Sequence, residues 1–104
     1  MHDYSDYVAN ILKAIAQPTR MKIIDFLRDG EKCVCEIFPA IDQEQSNTSR
    51  HLNYMKNHGV LACRKDGVKI YYAVKHPEVF KIAELAEHIH EQETIQRSRP
   101  LRKR

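Results

Sequence analysis

The sequence has no tryptophan, three glycines, four prolines and three cysteines among its 104 residues. So few glycines and prolines exclude collagen-like and low-complexity chains, and 42% apolar residues describe a globular one. No apolar run approaches the ~18–20 residues that cross a bilayer, and Met1-His2-Asp3-Tyr4 is too polar and acidic for a signal peptide. The expectation is a cytoplasmic protein of one domain, 1–96, with a disordered basic tail at 97–104. An odd number of cysteines, two of them one residue apart, makes a poor disulfide framework and suits free thiols or soft-metal ligands. There is no glycine-rich phosphate loop, no nucleophile at a recognisable spacing from a base, and no Cys-x-x-Cys, so the chain does not read as an enzyme.

What is present is charge, and it is sorted. Residues 1–49 hold five Lys/Arg against eight Asp/Glu, net −3, and residues 76–96 are net −4. Between them, Arg50, Lys56, Arg64, Lys65, Lys69 and Lys75 face Asp66 alone, net +5. Solubility needs no such concentration, whereas a polyanion partner does.

The apolar pattern gives the element order. Val8, Ile11, Leu12 and Ile15 form one helical stripe, with Ser5 placed to cap it. Pro18 opens a second helix carrying Met21, Ile23, Ile24 and Leu27, which stops at Asp29-Gly30. A short third helix is expected over about 33–41, and a fourth from about Ser46 to Asn57 with Leu52 and Met55 inward. Val60 to Arg64 and Val68 to Val74, joined through Lys65-Asp66-Gly67, read as a hairpin. A last helix follows His76-Pro77, with Ile82, Leu85, Ala86 and Ile89 as its stripe. The predicted fold class is mostly α with a β-hairpin wing, in the order α-α-α-α-β-β-α. Apolar terminal helices on so small a core also predict a homodimer.

Two helices around a four-residue turn, followed by a ribbon, let the second helix enter a major groove while the ribbon lies on the backbone. Gln45, Ser46, Asn47, Ser49, Arg50 and His51 crowd the start of that helix as candidate base readers. For Ser46 and Asn47, helix capping is the competing reading. Arg64, Lys65 and Lys69 around the ribbon's turn are the candidate phosphate contacts.

Residues 12–20 (Leu-Lys-Ala-Ile-Ala-Gln-Pro-Thr-Arg), 33–37 (Cys-Val-Cys-Glu-Ile), 45–52 (Gln-Ser-Asn-Thr-Ser-Arg-His-Leu) and the stretch Gly67 to Tyr72 together resemble the ArsR/SmtB metalloregulators. The resemblance covers about 8–90. It implies a winged helix-turn-helix homodimer joined by its first and last helices, which represses from an inverted-repeat operator and lets go when an inducer binds.

Cys33-Val34-Cys35 is the chemical oddity. Paired thiolates at this spacing suit soft ions better than structural zinc. In the arsenite-responsive branch of the family such a pair binds As(III), which makes Cys33 and Cys35 the expected metal ligands, with Sb(III), Cd(II) and Pb(II) as further candidates. A third cysteine three residues past the pair is replaced by Phe38, and no N-terminal cysteine is available beside His2 and Asp3. Cys63, alternating with Leu61, is expected to point into the core. A thiol redox or persulfide switch is the alternative reading. The last helix holds Glu84, Glu87, His88 and His90, but lacks the Asp-x-His and the later His of the zinc branch.

Overall fold

The computed structural model describes residues 3–98. Its elements are α1 (Tyr4–Ile15), α2 (Pro18–Phe26), β1 (Lys32–Cys33), α3 (Val34–Ala40), α4 (Gln45–Asn57), β2 (Leu61–Asp66), β3 (Lys69–Val74) and α5 (Glu78–Ser98). This is a winged helix-turn-helix: α3 and α4 are the paired helices and the β2–β3 hairpin is the wing.

Local chemistry sets most of the boundaries. Asp3, rather than the expected Ser5, caps α1, because Asp3 and Asp6 satisfy each other's backbone N–H groups in a reciprocal box. Pro18 occupies the first turn of α2, and the Gln17 side chain accepts the Arg20 N–H. Between α3 and α4 the chain turns at Asp42, held at φ 55. The wing loop is Gly67-Val68, one residue later than the sequence suggested, since Asp66 still pairs with Lys69. Gly67 at φ +63 supplies the left-handed first position that a two-residue hairpin demands.

The core is formed where the helix-turn-helix meets α2 and the base of the wing. Ile23, Ile24, Ile37, Leu52, Met55 and Val60 are fully enclosed. Thr48 is enclosed with them, and its hydroxyl has no hydrogen-bond partner. Outside this cluster α5 continues as one helix through Ser98, two residues past the expected domain boundary. Glu93 and Arg97 stand four residues apart there, and Ser98 Oγ donates to the Ile95 carbonyl. The rest of the expected basic tail lies outside the described residues. No helix among the described residues is long and apolar enough to cross a membrane.

One strand was not expected. Lys32–Cys33 forms β1, antiparallel to β3, with Lys32 opposite Tyr72 and Cys33 opposite Tyr71, so the sheet order is β1-β3-β2. The first cysteine of the pair is therefore hydrogen-bonded into the wing.

Candidate nucleic-acid interface and thiol site

On α4, Gln45, Ser46, Ser49 and Arg50 are exposed, while Asn47 and His51 are half-buried. The helix cap is Glu44, which makes no side-chain cap bond, so neither Ser46 nor Asn47 serves as the cap. Asn47 instead takes part in a short chain: its Nδ2 donates to Gln43 Oε1 (2.7 Å) and its Oδ1 accepts from the Arg50 guanidinium (3.1 Å). That chain holds the Arg50 head group at the outer surface of the first turns.

His51 is held differently. Its Nδ1 accepts from Arg20 Nε (3.2 Å), while Arg20 also donates to the Lys13 carbonyl (2.8 Å) and lies 4.0 Å over the Tyr54 ring. Arg20 thus ties the end of α1 to the middle of α4. Burial first, then the Arg20 and Arg50 charges, push the His51 pKa below its ordinary value.

The wing's cations split into two groups. Arg64 is taken by Glu31, whose carboxylate receives both Nε and Nη2, and it stacks 4.6 Å over the Tyr71 ring. The hydrogen bond from Arg64, ahead of its charge, holds the Glu31 carboxyl below the usual range. Lys65 and Lys69 flank the tip and are exposed, and Val68 between them is fully so. Sequence reasoning missed Glu31, which stands 33 residues from its partner, because no local pattern links them.

The thiol pair sits at the junction of β1 and α3. Cys33 is buried and caps α3, its Sγ accepting the Cys35 N–H (3.2 Å), whereas Cys35 is exposed. The two sulfurs are joined as a disulfide, with Cα atoms 5.1 Å apart. Cys63 departs from expectation: it is exposed, because β2 has left the core by the residue after Leu61. Its neighbour across the strands, Tyr72, is buried, and burial, reinforced by Cys63, raises the Tyr72 pKa.

These parts share one cleft. A space of about 410 Å³ is bounded by Cys33 and Cys35, by Gln45, Ser49 and Asn53 of α4, and by the wing. Gln45, Ser49 and Asn53 are spaced by four residues and so line one face of the helix. Asn53 was missed, although its place four residues past Ser49 was the available signal. Among the described residues no three His, Cys, Asp or Glu side chains come together.

Comparison with known proteins agrees with this geometry. Residues 17–62 match the model of the bacterial regulatory protein arsR family. The chain is 37% identical over 79 residues to a cadmium resistance transcriptional regulatory protein of Listeria innocua, covering 75% of this chain and 66% of that one. It is 39% identical over 70 residues to the arsenic resistance regulator ArsR1 of Pseudomonas putida, covering 66% and 54%. The chain therefore spans less than two thirds of these relatives' length. Among solved structures, the homodimeric winged helix-turn-helix DNA-binding domain Mb0332 of Mycobacterium bovis is 26% identical, with a TM-score of 0.78 over 93% of this chain and 90% of that one. These are DNA-binding regulators and not enzymes. With residues 17–62 on the family's model and a fold shared with the solved winged helix-turn-helix domain, this chain belongs to the arsR family of bacterial regulatory proteins.

Proposed function

We propose that the protein is a cytoplasmic, homodimeric transcriptional repressor that binds an inverted-repeat operator and is released when a thiophilic ion, foremost As(III), bridges Cys33 and Cys35. The observation that carries this reading is the shared cleft, in which the sulfur pair, the reading helix and the wing are adjacent walls. Gln45, Ser46, Asn47, Ser49, Arg50 and His51 address the major groove, and Lys65 and Lys69 address phosphates. Arg64, the third candidate phosphate contact, is held by Glu31 in the free protein. The exposed stripes of α1 and α5 join the subunits.

Release follows from connectivity. Arsenous acid condenses with two thiols, each As–OH leaving as water with one thiol proton, and arsenic remains trivalent. The bridge restrains the β1–α3 junction. Cys33 is in register with Tyr71 of the wing and α3 packs on α4, so the restraint reaches both DNA-contacting elements. A dimer must present two reading helices about 34 Å apart, so small shifts in each suffice. A coupling of about 1–3 kcal/mol already gives roughly 5- to 150-fold release.

The test is release of a labelled operator duplex from reduced protein on titration with arsenite, antimonite, Cd(II) and Pb(II). The double variant Cys33→Ser/Cys35→Ser should bind DNA normally and ignore arsenite, and Cys63→Ser should respond like the parent. Release from the double variant would place sensing elsewhere. The paired sulfurs favour a second reading, a dithiol–disulfide switch, which predicts different operator affinities for the oxidised and reduced protein without any metal.

A further inference from the structure

The basic block of residues 50–75 is not left wholly to solvent. Among the described residues one ion pair takes a cation from it: Arg64 of β2 is held by Glu31, the residue just before β1. The other ion pairs there, Arg28 with Asp25, Glu84 and Glu87, and Lys32 with Asp29, lie outside the block. Lys65 and Lys69, on the same wing, enter none. Glu31 receives the guanidinium through Nε (3.0 Å) and Nη2, the forked arrangement by which arginine also takes two oxygens of a phosphate. The carboxylate therefore occupies the place that a DNA phosphate would fill. Neither partner is buried, the Arg64 side chain being 52% exposed and that of Glu31 40%. An ion pair so open to water is weak and readily exchanged. The Tyr71 ring, 4.6 Å from the guanidinium, keeps the head group on the wing when the carboxylate leaves.

We propose that Glu31 competes with DNA phosphate for the Arg64 guanidinium, so that the free protein carries one wing contact covered by its own carboxylate. This rests on the reading of the wing as a phosphate-contacting element. Binding a duplex then exchanges one anion for another: the Arg64–Glu31 hydrogen bonds break, those to phosphate oxygens form, and Glu31 returns to water. No covalent bond changes. The gain from the new contact is reduced by the loss of the old one and by a carboxylate left close to the phosphates. Phosphate contacts carry no base information, so Glu31 lowers the sequence-independent share of the affinity and leaves base recognition to α4. The wing does not need the pair for its shape, since β2 and β3 are joined in register from Leu61 and Val74 to Asp66 and Lys69.

The experiment follows binding of the full chain to a labelled random-sequence duplex by fluorescence anisotropy, from about 50 to about 200 mM salt. Glu31→Gln keeps the side chain's shape and removes its charge. It should bind about fivefold tighter at the low-salt end and steepen the plot of log affinity against log salt by up to about one unit. The gain must run through Arg64, so in an Arg64→Ala background the same substitution should change affinity less than about twofold. If Glu31 only braced the wing, Glu31→Gln would loosen it and bind more weakly, which overturns the proposal. Unchanged affinity and slope overturn it too. So does an equal gain in the Arg64→Ala background, which would reflect net charge alone. The double variant Lys65→Ala/Lys69→Ala separates two failures. If it binds more weakly while Glu31→Gln binds no tighter, this inference alone fails. If it binds like the parent at every salt concentration, the reading of the wing fails with it.

Discussion

The helix-turn-helix and the outer helices are built from the same kind of apolar stripe, yet one is closed and the other open. Ile37, Leu52 and Met55 are fully enclosed within a single subunit. On α1, Val8, Ile11 and Leu12 are 40–46% exposed, and on α5, Leu85 and Ile89 are each 63% exposed. The inner cluster is a finished core, while the outer one has the composition of a core and the exposure of a surface. Such a face stabilises little until something covers it. A second copy, proposed above, would complete it, and Arg20 carries its position inward by joining the end of α1 to α4.

The largest expected effect comes from opening the finished side. Leu52→Ala should cost about 2–5 kcal/mol in urea unfolding, independent of protein concentration, because the cavity lies within one subunit. A loss under about 1 kcal/mol would mean that the cluster is looser than its burial indicates. Leu85→Glu on the open side should leave the helical circular dichroism intact. It should raise the dimer dissociation constant by roughly a hundredfold, since a carboxylate would be buried at the interface without a partner. Sedimentation over a dilution series measures this. An unchanged constant would remove α5 from the interface.

A smaller effect sharpens the inner side. Thr48 carries a buried hydroxyl without a partner, in a site otherwise apolar. Thr48→Val keeps the shape and removes the unsatisfied group, so it should stabilise by about 1 kcal/mol. A destabilised variant would show that the hydroxyl finds a partner in solution.

The two sides also differ in what the sequence revealed. The five helices and the hairpin were legible, because each is written in residues three or four apart or in a strict alternation. The burial of a stripe was not, since Val8 and Leu52 look alike until the chain is folded. Contacts across long separations were equally silent: Arg20 meets His51 over 31 residues, and Arg64 meets Glu31 over 33. The two-residue strand β1 is too short to carry any periodicity, though it is what joins the thiol pair to the wing. Cys63 was misplaced for a related reason. Strand alternation tells which face a residue shares, but not where along the strand the core ends.

The smallest expected effect tests the link between the two sides by pH. His51 Nδ1 can accept from Arg20 Nε only while it lacks a proton, and the site already disfavours the charged ring through burial and the neighbouring Arg20 and Arg50. The folded pKa therefore lies below the ordinary 6.5, and the unfolded chain takes up the proton first as the solution is acidified. Stability from this group is complete above the unfolded value and is lost as the pH falls through the folded one. His51→Gln retains an acceptor but does not titrate. Between about pH 7 and 5.5 the parent should thus lose stability that the variant keeps, read as the difference between their urea midpoints at each pH. The sign is informative, because a histidine whose only role was to meet phosphate would bind DNA better once protonated. Equal pH dependence in parent and variant would show that the Arg20 latch is open in solution, and that α1 and α4 are coupled through the core alone.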